Sequence, residues 1–445
     1  MVVFLLLAGT CSRYNVSAGS ITVRLQGGLD ETFTLRLYGY SVFEKYEIPA
    51  TQKGKYIIDG SLSDGVFYLN IFNGGPLLYE GEIIYSGSPV EVSVYNIENR
   101  LSLEFTDDTN REFKRFKKQS DSLLHRLSVL YELSGKYLDK KGQFYQDLQK
   151  EINHAVQSYN GFSDGFIEKG GLSSLCAAAL KTHVPPEMMG PSERLDYMLS
   201  NFFKTFLPLE SGYLNSRIYE IKLNEYMGLV FQKAQFAGGL DEDILIKETD
   251  RFLEKIKPDN QLTIQTLDFI RERFYKLSLD KALEYLDTQW YAGQCAVDDD
   301  PELAGRLELY ERLAPGRPAP EIKGLGQNGQ RVGISDLKAK EFVVVFWATW
   351  CDHCTKELPK IYSWLSSQKE VATIAIALDQ EEQKWNQMIS GFPGWKHIRA
   401  KEVWEDKVVK DYGIYATPTI YVLDENKNIK DKAKNLRELK TVLNR

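Results

Sequence analysis

Cysteine, long hydrophobic runs and excess positive charge are all scarce in this sequence. Its five cysteines are too few for a disulfide scaffold in a chain of 445 residues. After the first residues, no stretch is apolar enough over a sufficient length to span a bilayer. The 55 basic residues are outnumbered by 62 acidic ones, and this net charge of −7 argues against a nucleic-acid-binding protein. With only five histidines, none paired at ligand spacing, the sequence predicts no metal site.

The chain does contain enough apolar and aromatic residues for several folded domains. Apolar residues make up 43% of it and aromatic residues 12%, which is typical of folded proteins. A chain of 445 residues exceeds one ordinary hydrophobic core, so we expect two or three domains.

The first predicted domain covers residues 20–105. Apolar and polar residues alternate there, as at Ile21, Val23 and Leu25, and this period of two is typical of half-buried strands. Glycine-containing turns such as Ser63-Asp64-Gly65 separate the alternating segments. The pattern therefore predicts a small antiparallel β domain.

Residues 106–313 follow a helical spacing and predict an all-α domain. A stripe of apolar residues at helical spacing shows the pattern and predicts core positions: Leu195, Leu199, Phe202 and Phe206. The basic segment 111–118 is interpreted as one solvated helix face whose phenylalanines lie in the core. Cys176 and Cys295 are isolated in sequence and are expected to be buried apolar thiols.

The proline-rich segment 315–320 marks a domain boundary, because three prolines in six residues cannot continue a helix. From 314 to 445, strand-like and helix-like segments alternate, which predicts an α/β domain. Helices are expected at 351 to about 367 and at 403–412, and a strand at 419–423 is expected to be followed by a turn at 426–428 and a final helix at 435–443. Its first strong strand is the continuous apolar run Phe342–Trp347, as expected for a strand buried on both faces.

The N-terminal segment, residues 1–19, contains an apolar run of signal-peptide length. The run leads into Leu7-Ala8-Gly9-Thr10-Cys11, which resembles the lipobox of bacterial lipoproteins, although Thr10 replaces the usual small residue and no basic residue precedes the run. The resemblance implies export and lipidation of Cys11. The alternative is an apolar tail with a chance cysteine.

A Cys-x-x-Cys pair, Cys351 and Cys354, follows the predicted strand and begins a predicted helix. A structural disulfide across so short a loop would constrain little, and a zinc site would need further ligands. At a helix start, the dipole and free N–H groups stabilise a thiolate on Cys351, and Cys354, one turn further, can resolve a mixed disulfide. We therefore interpret the pair as redox-active.

Residues 314–445 resemble the TlpA/ResA-like group of thioredoxin-fold thiol–disulfide oxidoreductases, which are extracytoplasmic and tethered to membranes. The resemblance rests on four features: the segment Phe346–Cys351 that leads to the first cysteine of the pair, Pro359 in the following helix, the pair Thr417-Pro418, and an insertion near residues 379–400. It implies a thioredoxin fold and a cis-proline loop at Thr417-Pro418 that lies against the cysteines and pairs with substrate peptides. Trp350 would shield the pair and shape the docking surface, or simply pack. The preceding β and helical regions resemble those of Bacteroidetes lipoproteins in element order.

A carboxylate near the cysteines is a candidate proton acceptor. Val345 stands six residues before Cys351, where plain thioredoxin has a buried aspartate, and an apolar residue cannot move protons. Glu357, three residues after Cys354, shares its helix face and matches an acidic residue of the family. Its alternative role is that of an ordinary exposed glutamate near a helix start.

The two residues between the cysteines bear on the redox potential. A cationic His353 would stabilise the Cys351 thiolate, whereas Asp352 would oppose it. These opposed charges leave the direction of electron flow open, and the resemblance favours reduction or isomerisation.

The sequence thus predicts a periplasmic, lipid-anchored thiol–disulfide oxidoreductase that needs no cofactor. Its expected partners are cysteine-containing client proteins and a membrane thiol–disulfide electron donor, with the membrane contacted only through the lipid. One alternative is a binding lipoprotein that uses the thioredoxin fold as a recognition module. A thiol peroxidase is the other, but Thr349 is too close to Cys351 for the spacing that such enzymes use.

Overall fold

A computed structural model describes residues 19–26, 33–58, 64–97, 100–185, 189–210, 214, 216–236, 240–292 and 301–444. The chain divides into two compact units, Met1–Thr266 and Leu267–Arg445. Cys11 and Cys295 lie outside the described residues, so the predictions made for them stay predictions. No helix among the described residues combines the length and apolar character needed to cross a membrane.

The first unit begins with strands that form two sheets. Their bounds are β1 Gly19–Leu25, β2 Phe33–Ser41, β3 Glu44–Ile48, β4 Ala50–Gln52, β5 Lys55–Ile58, β6 Gly65–Asn73, β7 Leu77–Tyr85, β8 Val90–Ile97 and β9 Arg100–Phe105. One sheet has the order β4-β5-β1-β8-β9 and the other β3-β2-β6-β7. Pairing is antiparallel between the described strands except between β1 and β8, which run parallel. The predicted β domain is thus present.

Both sheets contribute to one hydrophobic core. Ile21 and Val23 of one sheet pack in the same cluster as Leu37 and Phe67 of the other, and all four are almost fully buried. The alternation of apolar and polar residues in the sequence therefore corresponds to an inward and an outward face.

Helices fill the rest of the first unit and continue into the second. Their bounds are α1 Asp108–Lys136, α2 Gln143–Ile167, α3 Gly171–Leu180, α4 Pro191–Asn201, α5 Ile218–Gln235, α6 Glu242–Ile256, α7 Asn260–Lys276, α8 Asp280–Tyr285 and α9 Pro301–Arg312, with a π-helical segment at Leu286–Tyr291. The predicted stripe Leu195, Leu199, Phe202 and Phe206 is buried. In the basic segment, Phe113 and Phe116 are buried as predicted. Cys176 is fully buried, and this burial raises its thiol pKa to about 12.

The second unit contains a five-stranded mixed sheet with helices on both faces. Its elements are β10 Lys323–Leu325, β11 Arg331–Gly333, β12 Glu341–Trp347, α10 Asp352–Leu365, β13 Val371–Ala377, α11 Glu382–Ile389, β14 Lys396–Arg399, α12 Lys407–Asp411, β15 Thr419–Leu423, β16 Ile429–Ala433 and α13 Leu436–Leu443. The sheet order is β14-β13-β12-β15-β16, whereas β10 and β11 form a separate hairpin. Strand β12 runs parallel to β13 and antiparallel to β15. This is the predicted α/β thioredoxin-like arrangement.

Strand β12 is buried on both faces, as its continuous apolar sequence predicts. Val343, Val345 and Trp347 pack on one face of the sheet with Leu358 of α10, and the intervening residues pack on the other face. The central strand therefore holds α10, and the cysteines at its start, in a fixed position.

One predicted helix differs from the structure. The segment from Val403 to Tyr412, expected to be helical throughout, is a 3₁₀ turn at Val403–Glu405 followed by the short helix α12. Asp406 separates the two pieces because its side chain accepts a hydrogen bond from the Val408 N–H, which caps the start of a new helix.

The proline-rich segment 315–320 is held by backbone hydrogen bonds. The Gly316 N–H donates to the Ile429 carbonyl at 2.7 Å, and the Ile429 N–H donates to the Arg317 carbonyl at 2.8 Å. The segment therefore lies along the edge strand β16.

Candidate redox-active site

The two cysteines lie where the chain passes from the sheet into α10. Cys351 is the N-cap residue of that helix, and the Cys354 N–H lies 3.1 Å from its sulfur. A disulfide bond joins the two residues, whose Cα atoms are 5.3 Å apart. Cys354 is fully buried, whereas Cys351 is partly exposed. A partner can thus reach Cys351 but not Cys354.

The Thr417-Pro418 segment lies against the disulfide. The peptide bond between these two residues is cis. The Cys351 sulfur lies 3.4 Å from the Thr417 carbonyl oxygen. Among the described residues, no hydrogen bond involves the Thr417 backbone N–H. The loop therefore presents a free backbone donor beside the exposed sulfur.

A buried carboxylate anchors the turn before Cys351. Asp379 is only 1% exposed, and its two oxygens lie 3.2 and 3.0 Å from the Thr349 N–H nitrogen. The Thr349 hydroxyl also donates to Asp379, at 2.7 Å. Burial raises the pKa of Asp379, and the hydrogen bonds from Thr349 partly oppose this rise.

Sequence reasoning missed Asp379 as a functional residue. Its signal was its position directly after an apolar strand, β13, whose parallel neighbour β12 leads to Cys351. Because parallel strands end at the same edge of a sheet, a polar residue there lies near the cysteines.

Trp350 is held on one side and exposed on the other. Its indole N–H donates to the Leu378 carbonyl at 3.0 Å, yet 55% of the residue is exposed. Trp404 lies edge-on to it, with ring centroids 6.0 Å apart, and is 37% exposed. The two indoles form an exposed aromatic surface beside Cys351. Asp352 and His353, in the first turn of α10, are also exposed.

Glu357 is held by two neighbours in this disulfide state. One oxygen accepts a hydrogen bond from Lys360 at 2.7 Å, and the other lies 3.4 Å from the Leu436 N–H nitrogen at the start of α13. The hydrogen bond from Lys360 is the main reason why the pKa of Glu357 is lowered. Among the described residues, no hydrogen bond connects Glu357 to Cys354. Val345 is fully buried in the core, and its apolar side chain provides no acid or base.

The described residues contain no group of histidine, cysteine and acidic side chains that could hold a metal ion.

Comparison with known proteins agrees with this geometry. Residues 315–432 match the sequence model of the AhpC/TSA family. The thiol–disulfide oxidoreductase ResA of Bacillus cereus (strain ATCC 10987 / NRS 248) is 26% identical over 124 residues, which cover 27% of this chain and 70% of ResA. ResA of Oceanobacillus iheyensis is 30% identical over 130 residues, covering 27% of this chain and 64% of the relative.

Similar solved structures include the thioredoxin domain of a thiol–disulfide oxidoreductase from Bacteroides vulgatus. It is 26% identical, with a TM-score of 0.28, and the match covers 30% of this chain and 96% of that domain. A thioredoxin-like protein from Bacteroides caccae is 16% identical with a TM-score of 0.39, covering 59% of this chain and 96% of its own.

The fold and the cysteine pair thus define a thioredoxin-like domain in the C-terminal region of this chain. Residues 315–432 are similar to the AhpC/TSA family, and the relatives that this region resembles are named thiol–disulfide oxidoreductases. The predicted resemblance to thioredoxin-fold thiol–disulfide oxidoreductases and the predicted enzyme class are confirmed.

Proposed function

We propose that this protein is an extracytoplasmic thiol–disulfide oxidoreductase that acts on cysteines of client proteins, with Cys351 as the nucleophile and Cys354 as the resolving thiol. The observation that carries the proposal is the asymmetry of the pair: Cys351 is the accessible N-cap of α10, and Cys354 is fully buried. The helix start favours the thiolate form of Cys351 once the disulfide is reduced.

In the reducing direction, the Cys351 thiolate attacks a client disulfide and forms a mixed disulfide, and the first client sulfur leaves as a thiolate. The Cys354 thiolate then attacks the Cys351 sulfur and expels the second client thiolate. The client gains two electrons, and the enzyme is left with the Cys351–Cys354 disulfide seen in this structure. A membrane dithiol partner would supply two electrons to restore the reduced pair.

The surroundings of Cys351 support docking of an extended peptide. The free Thr417 N–H can pair with a client backbone, and the cis-Pro418 loop holds this donor beside the sulfur. Trp350 and Trp404 offer apolar contact area on the same side. Asp352 and His353 would adjust the potential from the exposed first turn, with reduction or isomerisation as the favoured direction.

Glu357 is proposed to take the proton from Cys354 during resolution. Its side chain is only 13% exposed, and it lies one turn beyond Cys354. Lys360 lowers the pKa of Glu357, so this carboxylate, ionised at neutral pH, is a weaker proton acceptor while the Lys360 contact lasts. Transfer to it would require a change in the contacts that it makes in the disulfide state.

Localisation and anchoring rest on the sequence. The lipobox-like segment ending at Cys11 supports a periplasmic protein tethered by lipid, and its relatives carry the name ResA. The thiol peroxidase alternative is weakened because the hydroxyl of Thr349, two residues before Cys351, donates its hydrogen bond to Asp379.

Trapping of mixed disulfides tests the proposal. In cells that carry Cys354→Ala, attack should still occur but resolution should stall, so client proteins stay bound through Cys351 as dithiothreitol-sensitive adducts on a non-reducing gel. Cys351→Ala is the matched control and should give none. Adducts only with Cys351→Ala would reverse the two roles. Adducts with neither variant, together with no measurable dithiol–disulfide equilibrium in the purified chain, would favour the binding-module alternative.

A further inference from the structure

A cavity of about 730 Å³ lies within the second compact unit, and neither cysteine of the disulfide lines it. One wall is formed by residues of α7 and α9, and the opposite wall by residues between Lys410 and Tyr415. Tyr415 stands two residues before Thr417, so the cavity adjoins the segment that leads into the cis-proline loop.

An arginine pair lies in one wall of this cavity. The carboxylate of Asp287 is fully buried and accepts a hydrogen bond from Nε of Arg271 and another from Nε of Arg306, both at 3.0 Å. The Tyr310 hydroxyl donates to the same carboxylate at 2.9 Å. Two guanidinium groups thus share one carboxylate, and both arginines line the cavity.

Arg271 retains unused hydrogen-bonding capacity. The guanidinium group has five N–H donors, and Nε is the only atom of Arg271 for which a hydrogen bond is found among the described residues. Its side chain is 19% exposed and lines the cavity, so the remaining donors are accessible from the cavity. Partly buried donors without partners favour an acceptor that carries charge.

The acidic residues of the cavity wall have contacts of their own. Asp268 accepts a hydrogen bond from the Tyr291 hydroxyl, and Glu272 is paired with Lys276. The basic residue of the opposite wall, Lys410, is paired with Glu405 at 2.5 Å and remains 59% exposed. Neither carboxylate of the wall is hydrogen-bonded to Arg271.

The remainder of the cavity is lined mainly by aromatic and aliphatic side chains. Tyr275 stacks on Tyr415, with ring centroids 4.7 Å apart and planes 17° from parallel. Leu283, Leu309 and Ile414 also line the cavity. A flat apolar body can therefore pack against these side chains beside a cationic donor group, the usual composition of a small-molecule site.

We propose that this cavity binds a small carboxylic acid with a flat apolar body. The carboxylate accepts from the free Nη donors of Arg271 in the bidentate geometry that guanidinium groups favour, and the body packs against the tyrosines and leucines. The site is distinct from the disulfide, and its occupancy does not depend on the redox role of the cysteines.

Isothermal titration calorimetry of the full chain tests this inference, with 2-naphthoate as the probe. For a ligand of this size we expect a dissociation constant of about 0.1–1 mM. The neutral analogue 2-naphthalenemethanol has the same body without the carboxylate and should bind roughly tenfold more weakly or not at all. No binding of 2-naphthoate, or equal binding of the neutral analogue, would overturn the proposal.

An arginine variant and a matched pair of lysine variants locate the site. Arg271→Gln should reduce affinity for 2-naphthoate about tenfold, but it also disturbs Asp287 and can unfold the chain. Lys410→Glu avoids this problem because Lys410 is exposed at the cavity rim. It should weaken binding about threefold. Lys407→Glu is the matched control, because Lys407 lies on the same short helix, is 85% exposed and does not line the cavity. Equal effects of the two lysine variants would refute the assigned site.

Discussion

Replacing Asp379 by alanine should loosen the turn that presents Cys351. The carboxylate of Asp379 accepts from both the backbone N–H and the hydroxyl of Thr349, and the residue is 1% exposed. Each hydrogen bond contributes about 1 kcal/mol net, and a buried donor left unpaired adds a penalty, so we expect a loss of about 2–3 kcal/mol in the free energy of unfolding. Disulfide exchange at Cys351 should slow by roughly fivefold to tenfold, because the sulfur is less well positioned.

The variant Asp379→Asn tests the charge of this residue separately from its hydrogen bonds, because asparagine is uncharged but keeps a side-chain oxygen that can accept from Thr349. Because burial raises the pKa of Asp379, its ionised form is disfavoured in the folded state. The stability that this group contributes is full below its unfolded pKa and is lost as pH rises through its folded pKa. The asparagine variant carries no such titration. At neutral pH the asparagine variant should be at least as stable as wild type. As the pH is lowered, the free energy of unfolding of wild type should rise relative to that of the variant.

Urea unfolding at neutral pH and at about pH 4, together with insulin-reduction rates, would measure both effects. Glu370→Ala is the matched control, because Glu370 directly precedes strand β13, is 64% exposed and pairs with Lys340 at the surface. It should change stability by less than about 0.5 kcal/mol. An alanine variant of Asp379 as stable as wild type would refute the anchoring role. A constant difference between wild type and Asp379→Asn across pH would refute the electrostatic argument.

Three further predictions concern separate parts of the chain. Glu357→Gln should slow insulin reduction near neutral pH without unfolding the domain, because the proton acceptor is lost; a rate and pH profile equal to those of wild type would make Glu357 a plain surface residue. Asp287→Ala should lower the free energy of unfolding by about 3–5 kcal/mol, measured by chemical denaturation, because it leaves two partly buried arginines without their shared carboxylate; a loss below about 1 kcal/mol would contradict this. Mass spectrometry of the chain expressed in its native host with its upstream region should show a lipid-modified Cys11, and an unmodified peptide of residues 1–11 from cytoplasm would contradict export.

The sequence was informative wherever local patterns determine structure. The apolar run of β12 and the helix that follows it were predicted to within about two residues, because strand burial and helix capping depend on neighbours in the chain. The edge strand β16 was not predicted. Its central residues, Lys430, Asp431 and Lys432, are polar, and only pairing with β15 makes them a strand.

The boundary between the units was likewise decided by packing. Proline spacing predicts a domain start near residue 314, and the compact unit that carries the thioredoxin-like fold also includes the helices from Leu267 onward. Contacts such as the stacking of Tyr275 on Tyr415 join residues that are far apart in sequence. No composition change marks such contacts, so local patterns cannot reveal them.

By itself, the sequence determined the class of the C-terminal domain and its cysteine pair, because a helix start after a buried strand is a local feature and its thiolate chemistry follows from that position. The tertiary structure decided which residues support the pair. Asp379 reaches Thr349 across thirty positions of sequence, and Arg271 meets Asp287 across sixteen. Their hydrogen bonds and the raised pKa of Asp379 depend on burial, and burial is set by how distant segments pack together.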